Sequence, residues 1–272
     1  MRIFISADLE GISGLVSWDQ MAENSPEYAK AVDLMLKEVN AAVEGAVKGG
    51  ATEVVVNDSH GYMRNLPAEG LHPKANLISG HLKPLSMVQG VEGSDLVFFI
   101  GYHAGVGTKA GICDHSYSSG SVFQLKFNGQ AFSETAINAA VCGHFGVPVA
   151  LVTGDLETVN QAKALLPDAL TVITKTGISR FAAYLRHPQE VRAEIVSKAQ
   201  MAVKEAHRFQ PFRIQTPVVM EITFVHSAKA DLVELVPGTE RLDGRTIRFK
   251  GENALEVYRA LQAFLSLARS IT

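Results

Sequence analysis

The sequence predicts an α/β fold, a mostly parallel sheet flanked by helices, with a second, smaller α+β domain attached. Two observations carry that expectation. Over residues 1–175, short aliphatic or β-branched runs alternate with segments of helical period, the order that builds parallel sheets. From residue 176 the rhythm changes to one long polar helix, two punctuating prolines and more widely spaced strands, so 176–272 is assigned to the smaller domain. The chain has 272 residues, 47% hydrophobic and 19% charged, enough length and apolar content to bury a sizeable core.

Each element has its own signal. Arg2–Ser6 is a short apolar strand, and Ser25–Gly49 is a helix by the spacing of Ala29, Val32, Leu36, Val39 and Val43, stopped by Gly49-Gly50. EVVV at Glu53–Val56 is too short for a helix and suits a buried parallel strand. A Gly-, Pro- and His-containing loop follows, with a short strand at Asn76–Ser79 and a brief helix at Leu85–Gln89 entered through Pro84. DLVFFI at Asp95–Ile100 is the next buried strand. After it comes the stretch GYHAGVGTKAGICDHSYSSG, longer than a simple turn and of a length that usually serves function.

Ser121–Phe127, the Asn128-Gly129 turn and Ala131–Phe132 form a hairpin, and Ser133 caps a helix running to about His144. Strands at Val147–Val152 and Leu170–Thr174 enclose a helix at Leu156–Leu166. The second region contains a polar helix at Pro188–Arg208, a strand at Val218–Phe224 and a helix at Ala228–Val236. A strand at Thr246–Phe249 and a closing amphipathic helix at Ala254–Leu267 complete it.

Composition narrows the partners. A net charge of -3 with scattered lysines and arginines gives no basic footprint for nucleic acid or an anionic membrane surface. No apolar run approaches the ~20 residues that span a bilayer. The N-terminus has one basic residue before acids at 8 and 10, unlike a secretory signal, so a cytoplasmic protein is expected. Cys113 and Cys142 form no CxxC pair and read as buried small hydrophobes.

In open α/β sheets, ligands bind beyond the carboxyl ends of the strands, and that edge collects unusual chemistry here. The first strand runs into Asp8 and Glu10, EVVV into NDSH with Asp58 and His60, and DLVFFI into GYH with His103. Period two puts Asp8 and Glu10 on one face, where two buried carboxylates demand a cation or must share a proton. Neutral imidazoles aimed at the same place suit zinc. Glu134, in the first turn of SETAINAA, adds a third carboxylate. Five such ligands are enough for two metals about 3.5–4 Å apart with a bridging carboxylate.

Taken singly, each residue has a plainer explanation: Asp8 as a loop cap, Glu10 as a turn residue, His60 as a turn terminator, and Glu134 as a charge on a helix N-terminus. Their shared edge is what points to metal. His115, in CDHS, is a candidate general acid or base or a donor to a developing oxyanion. The remaining histidines read as surface or packing residues, although His81 in SGHLKP lies near enough to stay open. Asp155, after the VALVTG strand, is a weaker candidate for holding a substrate amine.

These residues also carry a resemblance. SADLEG resembles the S-x-D-x-E-G signature of the zinc D-aminopeptidases associated with bacterial dipeptide-permease operons. The likeness continues in order through VNDSHG, LISGHLKPLSMVQG, FIGYHAG, DHSYS, SETAINAA, VPVALVTGD and TKTGISR. The resemblance implies a dinuclear zinc site on Asp8, Glu10, His60, His103 and Glu134, with His115 as the catalytic histidine. It also implies hydrolysis of short peptides beginning with a D-residue such as D-Ala, catalysed within a ring-shaped homo-oligomer, decameric in the family. Two other readings of the same residues stay open at this point: a metal-dependent phosphohydrolase using the acids near the first strand, and a non-catalytic peptide-binding assembly protein.

Overall fold

A computed structural model describes residues 1–271. The chain runs β1 (Arg2–Ala7), α1 (Tyr28–Gly49), β2 (Glu53–Asp58), β3 (Ala75–Ile78), β4 (Leu96–Tyr102), β5 (Val122–Phe127), β6 (Gln130–Ala131) and α2 (Glu134–His144). It continues through β7 (Val149–Asp155), α3 (Leu156–Leu165), β8 (Leu170–Ser179), β9 (Ala182–Leu185) and α4 (Pro188–Lys204). The last elements are β10 (Val218–Phe224), α5 (Ser227–Val233), β11 (Thr239–Arg241), β12 (Thr246–Gly251) and α6 (Ala254–Arg269).

Seven strands form one sheet in the order β3-β2-β1-β4-β7-β8-β9, parallel except for the β8–β9 pair. β1 lies inside it beside the central β4, in register with β2 from Arg2↔Glu53 to Ala7↔Asp58 and with β4 from Ile3↔Leu96 to Ala7↔Ile100. From β1 the chain builds outward to β2 and β3 on one side, and then to β4, β7 and β8 on the other. That reversal leaves a crevice at the carboxyl ends of β1 and β4. Strands β1, β4 and β7 are buried almost throughout, which is why they read as unbroken apolar runs.

A second sheet, ordered β11-β12-β10-β5-β6, is antiparallel and covered by α5 and α6. Helix α2 packs against both β4 and α6, so one apolar core runs from Phe99 and Tyr102 to Ile222, Val257 and Phe264. Helices α1 and α4 pack together over the opposite face of the large sheet.

The sheets interleave along the chain rather than part at residue 175. The β5–β6 hairpin, before that point, joins the second sheet, and α4, after it, packs on α1. Local differences from expectation are small. The helix at Leu85–Gln89 is a single 3₁₀ turn, Ser86–Val88, and the long polar helix stops at Lys204 before a separate turn at Ala206–Arg208. In α1 the buried stripe runs through Ala31, Met35, Val39, Ala42 and Ala46 and leaves Ala29 exposed, because both α4 and the sheet cover the helix. Strands β9 and β11 had no sequence signal, being short and largely uncovered. No helix among the described residues is long and apolar enough to cross a membrane.

Candidate active site

The crevice is built from backbone upward. Beyond β1, the Asp8 amide donates to the Ile100 carbonyl (2.8 Å) and the Gly11 amide to the Gly101 carbonyl (2.8 Å). Only glycine fits at 11, since a Cβ there would sit 1.9 Å from the Tyr102 carbonyl oxygen. From below, the fully buried Lys175 on β8 donates to the carbonyls of Glu10 (2.5 Å), Ile12 (2.8 Å) and Leu15 (2.6 Å). Thr174 adds a hydroxyl bond to the Gly11 carbonyl (2.6 Å). The turn that aims Asp8 and Glu10 is therefore held from two strands.

His60 follows β2 on a loop closed by Asp58. That carboxylate accepts the Asn65 and Leu66 amides at 2.6 and 2.7 Å and the Asn65 side chain at 2.8 Å. Asp58 thus orders the loop and does not enter the cluster. His103 follows β4 and gives its Nδ1 proton to the Ala104 carbonyl (3.0 Å), leaving Nε2 as a lone pair aimed inward. Glu134 opens α2 immediately after its cap, Ser133, whose hydroxyl accepts the Ala136 amide.

These elements bring Asp8, Glu10, His60, His103, His115 and Glu134 together. Asp8 stands between two groups. Its Oδ1 is 3.4 Å from His60 Nδ1 and its Oδ2 is 3.5 Å from His103 Nε2. Glu10 Oε2 is 3.1 Å from His60 Nδ1, and Glu134 Oε1 is 3.2 Å from His103 Nε2. Two triads result, Asp8–Glu10–His60 and Asp8–His103–Glu134, each compact enough to hold a metal ion, with Asp8 common to both. A third grouping, Glu10–His103–His115, is looser about His115, whose Nε2 stands 3.9 Å from Glu10 and 3.7 Å from Glu134.

The three carboxylates are almost fully buried. Burial, then the charge of Glu10, pushes the Asp8 carboxyl up to about 8. Burial works against ionised Glu10 as well, but the charge and hydrogen bond of His60 hold it well below the usual carboxylate range. His60 and His103 lean the other way: burial disfavours their charge, and Glu10 and Glu134 respectively raise them well above the usual imidazole value. Three acids crowded against two imidazoles lack positive charge. The donor set suits zinc, with mixed carboxylate and imidazole ligands. The buried His103 Nε2 has no hydrogen-bond partner among the described residues, which suits a metal ligand.

His115 stacks on His103 with ring centroids 4.0 Å apart and meets the edge of Trp18 at 5.2 Å. Its Nδ1 bonds the Cys113 carbonyl (3.0 Å), so Nε2 is the basic nitrogen facing the cluster. Burial, then the neighbouring His103 charge, lowers its affinity for a proton.

Asp155 does not reach this site. It caps α3, accepting the Thr158 amide and hydroxyl (2.7 Å each), and its other oxygen accepts the Ile112 amide (2.6 Å), so both oxygens are committed to the backbone and cap. His81, left open by the sequence, lines the cavity with Tyr117 and Ser118 of DHSYS; Ser119 and Arg269, at the end of α6, line it without any sequence signal. Arg269 lies 152 residues from its partner Tyr117, and no local pattern links them.

A parallel α/β sheet that gathers three carboxylates and three imidazoles at its reversal point defines a metal-dependent hydrolase. More particularly, the chain belongs to the D-aminopeptidase family, peptidase family M55, whose model matches residues 1–263. It is 35% identical over 270 residues to a D-aminopeptidase of Bacillus subtilis (strain 168), covering 98% of each chain. Among solved structures it matches the Zn-dependent D-aminopeptidase DppA from Bacillus subtilis, a self-compartmentalizing protease, with a TM-score of 0.96 and 35% identity. That match covers 100% of this chain and 99% of the other.

Proposed function

We propose that this chain is a dinuclear zinc aminopeptidase that removes the N-terminal residue of short peptides, with D-residues such as D-Ala preferred. The observation that carries the reading is the pair of triads sharing Asp8: Asp8, Glu10 and His60 would hold one ion, and Asp8, His103 and Glu134 would hold the other, with Asp8 common to both. The D preference and the zinc follow the relatives' names. Bound there, the ions supply a nucleophile from water near neutral pH and polarise a carbonyl oxygen.

The chain's own groups do the rest. Lys175 and Thr174 fix the backbone of the Glu10 turn, so both ligands of that strand are preset. His115 Nε2, free because Nδ1 is tied to Cys113, takes the proton from the attacking water and returns it to the leaving amine. Stacking on His103 and contact with Trp18 hold its ring in that orientation. The assembly we propose is a cytoplasmic ring-shaped homo-oligomer, decameric as the resemblance implies.

Metal analysis of the purified protein, followed by a screen of D- and L-aminoacyl dipeptides and amides, tests the reading. Zinc at two ions per chain and cleavage of D-aminoacyl substrates is the expected result. Full zinc occupancy with no cleavage of any peptide would overturn it.

A further inference from the structure

The cavity over the carboxylate–imidazole cluster carries both acidic and basic side chains. Asp8, Glu10 and Glu134 line it together with His81 and Arg269. Its volume of ≈ 190 Å³ is small beside ordinary ligand pockets, which begin near ~300 Å³. A short peptide, held by its two ends, fits such a space better than a long chain.

We propose that Arg269, with His81 beside it, binds the C-terminal carboxylate of the substrate, and so selects di- and tripeptides with a free carboxyl end. The inference rests on the aminopeptidase reading above. Arg269 is an exposed residue in the last turn of α6, and its guanidinium donates to the Tyr117 carbonyl (3.0 Å). The amide of that same Tyr117 donates to Glu134 Oε1 (2.5 Å). Two hydrogen bonds and one residue of backbone therefore separate the guanidinium from a metal-cluster carboxylate, a reach of about 10 Å at most. Extended peptide advances roughly 3.5 Å per residue, so a carboxylate one or two residues beyond the scissile bond arrives at Arg269.

Among the described residues the remaining guanidinium donors have no acceptor. The Tyr117 carbonyl is the sole hydrogen-bond acceptor of Arg269 among the described residues, and a planar fork with free N–H groups is the geometry that receives a carboxylate bidentately. His81 lines the same cavity, and burial first, then the charges of Arg269 and Lys83, holds its imidazole below the usual value. A bound carboxylate meets positive charge there, and the amide of the same peptide lacks the charge to use it.

The test compares D-Ala-D-Ala with D-Ala-D-Ala amide on the zinc-loaded full chain. The wild type is expected to favour the free acid by about tenfold in kcat/KM, through KM. Arg269→Gln removes that preference, and Arg269→Lys restores part of it, because the charge returns without the fork. Equal handling of acid and amide by the wild type, or an unchanged acid-to-amide ratio in Arg269→Gln, overturns the proposal. Cleavage of neither compound is the failure of the aminopeptidase reading instead. Calorimetric binding of the two compounds then decides the anchor: loss of acid preference in Arg269→Gln supports it, and equal affinities overturn it.

Discussion

Lys175 holds Glu10 from beneath: its buried ammonium donates to the Glu10 carbonyl at 2.5 Å while the Glu10 carboxylate faces the cluster above. The same ammonium serves Ile12 and Leu15, so one side chain from β8 fixes the whole turn that leaves β1. A ligand's precision here comes from a residue 165 positions away that touches only its backbone.

Replacing Lys175 with Met should leave three buried carbonyls without their donor. Each such group costs about 1–3 kcal/mol, so chemical denaturation should show a loss of at least about 3 kcal/mol. Zinc affinity should fall as well, because Glu10 loses its fixed backbone. Unchanged zinc affinity would show that the strap serves stability alone.

The two triads make different predictions for their members. Asp8→Asn should lower occupancy of both ions, since one oxygen faces each histidine. His60→Ala should weaken one ion and largely spare the other. Elemental analysis after dialysis separates the cases, and equal losses from both variants would remove Asp8 from its bridging position.

For His115→Ala, turnover should fall by about 10²–10⁴-fold with zinc content unchanged. The longer distances of its Nε2 from Glu10 and Glu134, 3.9 and 3.7 Å, set it apart from His60 and His103. If zinc were lost with it, the Glu10–His103–His115 grouping would be a true ligand set.

Glu38 gives a pH signature. This fully buried carboxyl on α1 is bonded by the Ser13 amide and hydroxyl through one oxygen, and its other oxygen has no partner. Burial, only partly offset by Ser13, raises it above its ordinary 4.5. The folded chain thus keeps the proton after the unfolded chain has released it. Its contribution to stability is full below pH 4.5 and is lost as pH rises through the folded value. Relative to wild type, Glu38→Gln should therefore gain stability as pH is raised from 4.5 toward neutrality, measured by denaturant unfolding across that range. A flat difference would mean Glu38 ionises alike in both states.

Most of the parallel sheet was legible because β1, β2, β4 and β7 are buried on both faces, and burial leaves unbroken aliphatic runs. The cluster was legible for a related reason. Strand ends converge at one edge, so Asp8, His60 and His103 could be placed together without knowing a single distance. Asp155 failed under the same rule, since a strand end that begins a helix also wants a cap, and that role consumed it. Arg269 and the membership of β5 in the second sheet depend on tertiary pairing, which no period along the chain encodes.

The β5–β6 hairpin leaves the large sheet between His103 and Glu134 to pair with β10, nearly a hundred residues further on. The second triad is thus split by a long-range excursion, since the chain between His103 and Glu134 pairs with the C-terminal third of the subunit. Contacts of such separation must close long loops, which slows folding. Metal held at that triad would therefore tie together segments far apart in sequence, so its binding free energy would add to the stability of the whole subunit.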